Sequence, residues 1–360
     1  MANVTYLIGA GASAGKRGKD LPGGDPKDNS IQEGLPCVNE IPNRLLYYVN
    51  LLRNTPIPND IWNNPIIGLN SKLDWEYARK ALLNNFQQLY TQCLRHATID
   101  TYAKKLKLRQ EEHDFQFLEQ ILTLFFIYEQ ILLNPDSRYD TFFANVLEND
   151  LQIPSHIQVL SWNYDSMFEL AYSEYNNNGQ LKIGSKRDTQ KQDYNIIKIN
   201  GTATFQKQMQ DLQTMRTAIQ TKFHLIDQDR SISDVVQAKQ KVLLVDMVYN
   251  YQLYIAGKQN NTNLSFAFDD TRPSDAIYNC IDAIMEKTDV FVIIGYSFPF
   301  FNREIDRKIL SRLRPQAAVY IQDKYPNRIK QNFRAVKNTI PEGHIELKEE
   351  TDQFFLPPEL

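Results

Sequence analysis

Three cysteines in 360 residues, Cys37, Cys93 and Cys280, are too few and too far apart for a disulfide framework. None belongs to a Cys-x-x-Cys pair, which excludes a zinc ribbon built on cysteine, and no metal is expected. Free thiols suit the cytosol, so the expected location is cytoplasmic. Neither sign of charge dominates: 40 Lys and Arg face 43 Asp and Glu, with a pI near 6.0. That leaves no field to hold a polyanion, and direct nucleic-acid binding is not expected. A long uncharged apolar run is also missing. The most apolar stretch, 117–133, carries Glu119, Gln120, Glu129 and Gln130 and reads as a buried amphipathic helix, not a membrane span. Met1 leads almost directly into a strand, so no signal peptide is expected. What remains, 42% hydrophobic and 23% charged, is the composition of an ordinary globular chain of one large domain or two smaller ones.

The most informative stretch runs from Ile157 to Glu169 and reads as strand, sharp turn, helix. Ile157, Val159 and Leu160 follow the breaker Pro154. Ser166 with Glu169 three residues on has the spacing of a capping box, and Met167, Leu170 and Ala171 give the helix a core face. Between strand and helix lie Asn163, Tyr164 and Asp165. Ligands of open α/β sheets bind just past the carboxyl ends of strands, so a carboxamide and a carboxylate stand where chemistry is done. Shaping the turn is the alternative role for both.

Val4–Ile8 is a short apolar strand followed at once by Gly9, Ala10, Gly11, Ala12 and Ser13. Gly9-x-Gly11-x-x-Ala14 has the dinucleotide-binding spacing, in which small residues let backbone amides cradle a pyrophosphate. A plain tight turn would use the same glycines; the place directly after the first strand favours phosphate. Residues 16–36, with Gly18, Gly23, Gly24 and Gly34, read as a loop, and Lys16, Arg17 and Lys19 are candidate phosphate contacts. From 39 to 149 the pattern is helical, with five helices and no strand. Strands are expected at Tyr194–Ile199, Lys241–Val248, Val290–Ile294, Ala317–Ile321 and His344–Lys348. Helices are expected from Pro273 to Lys287, from Asn302 onward, and from Pro326 to Val336.

Alternating strands and helices with apolar strands imply an α/β fold, a doubly wound, mostly parallel Rossmann-like sheet. The expected organisation is a single domain over 1–360. Residues 1–38 hold the first strand and glycine loop, 39–150 a helical insertion, and 151–350 the rest of the sheet, with an irregular helical segment at 203–240. Parallel strands put their carboxyl ends on one edge, so Gly9–Ser13, Asn163–Asp165, Asn200–Thr202 and Gly295–Ser297 should converge on one crevice.

Together these elements resemble the sirtuin-like superfamily, in particular its bacterial antiphage-defence effectors. The matching parts are Gly9–Ser13, Gly34-Leu-Pro36, Trp162-Asn-Tyr-Asp165 with Glu169, Lys198-Ile-Asn-Gly201, and Ile294-Gly-Tyr-Ser297 with Asp306. The resemblance implies NAD as substrate and hydrolysis of its nicotinamide–ribose bond. It implies that Gly9, Ala10, Gly11, Ala12 and Ser13, with Gly295, Ser297 and Asp306, bind the dinucleotide. Asn163 would hold the ribose or the attacking water, and Asp165 would orient the site. It further implies a homo-oligomer and control by a neighbour-encoded partner, a HerA-type ATPase or a nucleotide sensor.

One departure matters. Where the family carries a histidine acting on the ribose hydroxyls, this chain has Asn200. An amide hydrogen-bonds a hydroxyl but does not take its proton, and general-base catalysis is worth roughly 10²–10⁴-fold. No other histidine falls at a comparable strand end: His156 precedes the second strand, and His224 lies in the irregular segment. The competing expectation is therefore a nucleotide-binding subunit with weak or no catalysis. Hydrolysis of another nucleotide's glycosidic bond comes next, and a dehydrogenase last, because no helix follows the glycine loop.

Overall fold

A computed structural model of the chain describes residues 1–15, 34–56, 72–176, 181–185, 193–205, 208–230, 232–256, 262–269 and 275–360. The basic trio Lys16, Arg17 and Lys19 and most of the loop expected at 16–36 lie outside these residues. In chain order the elements are β1 (Val4–Ile8), α1 (Ile41–Asn54), α2 (Lys72–Arg95), α3 (Ile99–Leu108), α4 (Glu112–Leu132), α5 (Ser137–Val146), β2 (Ile157–Ser161), α6 (Met167–Tyr175), β3 (Ile183–Ser185), β4 (Ile196–Lys198), β5 (Gly201–Phe205), α7 (Gln208–Gln228), α8 (Val235–Asn250), β6 (Thr262–Leu264), α9 (Asp275–Lys287), β7 (Val290–Ile294), α10 (Arg303–Ile309), β8 (Ala318–Gln322), α11 (Pro326–Val336) and β9 (Ile345–Lys348).

Two compact units emerge. The sheet unit comprises Met1–Cys37, Leu133–Thr202 and Ser265–Leu360. Its seven strands run in the order β3-β4-β2-β1-β7-β8-β9, every neighbouring pair parallel. This is the Rossmann-like, doubly wound architecture expected from the alternation of strands and helices. Strands β1 and β7 are buried at every position, which is why they read as unbroken apolar runs. Side chains alternate between the faces. Leu7, Phe291, Ile293, Val319 and Ile321 share a core with Ile277 and Ile281 of α9, Ile309 of α10 and Phe333 of α11. On the other face Tyr6 meets Phe142 of α5, ring centroids 5.2 Å apart. The chain builds β2 on one side of β1 and β7 on the other, so the order reverses at β1, where an open α/β sheet forms its crevice.

The helical unit comprises Val38–Leu132 and Ala203–Leu264. Helix α4 is its core and is buried on all sides from Leu118 to Ile131. Its polar residues do not form a solvated stripe; they are answered inside. Glu129 accepts a two-pronged hydrogen bond from Nε and Nη2 of Arg44 in α1, both arms at 2.8 Å, and a further bond from the Tyr48 hydroxyl at 2.7 Å. Thr123 meets Thr262 of β6, and Tyr128 donates to Asp246 of α8 at 2.7 Å. No helix among the described residues is long and apolar enough to cross a membrane.

Three expectations are corrected here. The run Lys241–Val248, expected as a strand, is the body of α8, capped by Asp234 through the Gln237 amide at 2.9 Å. Leu243, Leu244, Met247 and Val248 are all buried, a spacing a helix produces too. The helical region expected at 39–150 does not hold together as one piece. Helix α5 sits in the sheet unit, where Tyr139 and Phe143 meet Phe168 of α6, while 203–264 joins α1–α4. The capping box at Ser166 is not formed: Asp165 Oδ1 accepts the Met167 amide at 3.0 Å, and Glu169 turns instead to Lys198.

Candidate functional site

The glycine turn after β1 is a 3-10 turn over Ala10–Ala12. Its glycines are required by the protein's own backbone. A Cβ on Gly11 would lie 2.7 Å from the Gly295 Cα, and one on Gly9 would lie 2.7 Å from the Gly295 carbonyl oxygen. Gly295 itself has φ +61° in the left-handed region, and a Cβ there would meet the Ala12 nitrogen at 2.5 Å. Gly34 approaches from another side, where a Cβ would come within 2.4 Å of the Ser13 carbonyl oxygen. The amides of Gly9 and Gly11 donate to the carbonyls of Ile294 and Gly295, both at 3.0 Å. Those of Ala12 and Ser13 donate back to Gly9 and Ala10. Ala10, the remaining residue of the turn, is exposed. The turn's carbonyls are engaged too: Arg138 Nη2 donates to Gly11 and Ala12 at 3.1 and 3.2 Å, and the Leu35 amide donates to Ser13 at 2.8 Å.

From this turn Ser13 reaches the loop after β2. Its Oγ donates to Asp165 Oδ1 at 3.0 Å and accepts from Asn163 Nδ2 at 3.2 Å. The Tyr139 hydroxyl lies 2.8 Å away. Because the one serine proton goes to Asp165, the tyrosine donates, and all three of the serine's hydrogen-bonding positions are filled. Ser13, Tyr139, Asn163 and Asp165 are all buried. Burial pushes the Tyr139 phenol well up, and the Asp165 carboxylate adds to the shift. Beneath this group lies a second buried pair. Lys198, at the end of β4, sits 3.2 Å from Glu169 Oε1 and donates to the backbone carbonyl of Asp165. Burial raises the Glu169 carboxyl, with the Lys198 charge opposing it.

Three of the sequence-derived residues, Ser13, Asn163 and Asp165, are thus joined directly. Asn200 lies in the turn just past β4, and its Nδ2 donates to the Trp162 carbonyl at 2.9 Å, tying the end of β4 to the end of β2. Trp162 stacks face to face on Tyr296, centroids 5.3 Å apart and planes at 7°. Ser297 is half-buried, its carbonyl accepting from Asn332 at 2.8 Å. Asp306 lies on α10. It is buried and accepts from the Tyr296 hydroxyl at 2.9 and 3.0 Å, and burial pushes its carboxyl up to about 8 against that hydrogen bond. Asn302, just before α10, makes no side-chain cap and donates to the Tyr296 hydroxyl at 3.1 Å. His156 lies at the opposite edge, where its carbonyl accepts the Val4 amide, and His224 is exposed on α7.

Tyr139 and Arg138 are the residues that sequence reasoning missed. Both read as members of an ordinary helix, and only the placement of α5 against the glycine turn reveals them. Lys198 did leave a signal, a lone charge within Ile196-Ile-Lys-Ile199, which demands a buried partner. No family model matches the chain, and no curated protein matches it.

Proposed function

We propose that the carboxyl edge of the sheet binds NAD and hydrolyses its nicotinamide–ribose bond. The observation that carries this reading is the meeting of Ser13, Asn163 and Asp165 at the point where the strand order reverses. In the reaction the C1′–N bond breaks and its electron pair stays on nitrogen. The cationic ring leaves as neutral nicotinamide, so the leaving group needs no acid. Water adds to C1′ and releases a proton. The protein's task is to place the water and stabilise the positive sugar. Asn163 is assigned to the water or the ribose. Asp165, fixed by Ser13 and the Met167 amide, orients it. The resemblance to sirtuin-like defence effectors supports the same reading and adds control by self-association or by a partner.

A second reading, a nucleotide-binding subunit without turnover, is favoured by Asn200. Its amide is directed to the Trp162 carbonyl, and no histidine stands in its place. The test is nicotinamide release from NAD by the purified chain, alone and with candidate partners. Turnover that falls by about 10²-fold or more in Asn163→Ala, with folding intact, supports hydrolysis at this edge. Turnover unchanged by that substitution sinks the assignment. Asn200→His should raise turnover by at least about tenfold. Saturable NAD binding without turnover in the wild type selects the second reading.

A further inference from the structure

The last residues of the sheet unit, 349–360, form neither helix nor strand, yet they are tightly held. One side chain does most of the holding. Gln322, buried at the carboxyl end of β8, donates to the carbonyls of Glu350 and Gln353 at 2.6 and 2.7 Å, and its Oε1 accepts the Phe355 amide at 3.0 Å. Phe355 then packs on Tyr320, centroids 4.6 Å apart, and its carbonyl accepts from the Tyr6 hydroxyl at 3.3 Å. Tyr6 and Tyr320 lie in one register row through Val292, so the segment crosses the face of the sheet that α5 also covers.

The clamp delivers Phe354 to α5. Its buried ring meets Tyr139 edge to face, centroids 4.9 Å apart at 82°, and the Arg138 guanidinium lies over it at 5.1 Å. These are the two α5 residues that touch the glycine turn and Ser13. Both contacts depend on an aromatic ring.

We propose that Phe354 is a positioning residue and Gln322 its clamp. Together they hold Arg138 and Tyr139 against the glycine turn and thereby set Ser13, Asn163 and Asp165. The effect on catalysis rests on the proposed NAD hydrolysis; the effect on the turn does not.

Hydrogen exchange of the full chain, read by mass spectrometry, tests the positioning directly. In Phe354→Leu and in Gln322→Leu, the amides of residues 9–14 should exchange about tenfold faster, while those of α4 keep their wild-type rates. Phe354→Tyr, which keeps the ring, should restore slow exchange. Rates over 9–14 that stay within about twofold of wild type in both leucine variants overturn the proposal. So does a uniform acceleration that includes α4, because the effect would then be global. If either leucine variant fails to fold, the other and Phe354→Tyr decide. Where the wild type cleaves NAD, both leucine variants should lose about tenfold in kcat with KM within about twofold. A wild type without turnover removes the hydrolase reading and leaves the exchange result standing.

Discussion

Each unit of this protein buries a polar network, and the two are built differently. In the helical unit Arg44, Tyr48 and Glu129 all lie within α1 and α4, where helical repeats fix the backbone. Aromatic rings wall them in: Tyr48 lies 5.8 Å from Phe86 and 5.9 Å from Phe125. In the sheet unit Ser13, Asn163 and Asp165 sit in loops just past strand ends, and Tyr139 joins them from the first turns of α5. Both networks are hydrogen-bonded throughout, so satisfied burial does not distinguish a scaffold from a site. Location does. Side chains past the ends of parallel strands gather on one edge and can change partners without breaking a helix or a ladder.

That contrast has a measurable scale. The largest effect belongs to the helical network: Glu129→Ala leaves Arg44 and the Tyr48 hydroxyl without their acceptor and should cost about 3–5 kcal/mol in denaturant unfolding. A cost no larger than that of a surface substitution would break the comparison.

An intermediate effect comes from a carboxyl with only a neutral partner. Asp306 keeps its proton in the folded chain up to about 8, against an ordinary value of 3.8. Between those values the folded state binds more protons than the unfolded one, so stability is lost as the pH rises. The melting temperature of the wild type should therefore fall by about 5 °C more than that of Asp306→Asn between pH 5 and 8. Parallel curves would place Asp306 among ordinary ionised carboxylates.

The smallest effect should be Tyr139→Phe, which removes one hydroxyl from the sheet network and should cost about 1 kcal/mol in the same unfolding experiment. A loss near that of Glu129→Ala would erase the distinction between the two networks.

Strands buried on both faces were legible because their runs of Val, Ile and Leu leave little room for another structure; β1, β2, β7 and β8 all fall where the pattern points. Lys241–Val248 misled for the same reason. A short apolar run rich in Val looks alike in a buried strand and in a helix buried on several sides. The residues at strand ends were legible, since Asn163, Asp165 and the glycines stand out against apolar strands. Their partners were not. Ser13 meets Tyr139 across 126 positions of sequence, and Gln322 reaches Phe355 through a segment with no periodicity at all. Side-chain pairings of that kind depend on how elements dock, which local pattern does not encode. The glycines themselves carried two meanings. Their spacing suits a pyrophosphate, while in the structure they make room for Gly295 and Tyr296.

The interlock of Gly11 with Gly295 has a kinetic consequence. Two loops that hydrogen-bond through Gly11 and Gly295 and leave no space for a methyl group between them cannot open independently. They form one wall, and the entropy of ordering it is spent when the chain folds rather than when a ligand arrives. A molecule that docks against this wall meets a surface already in its final shape, so its association rate should be governed by encounter and not by loop closure.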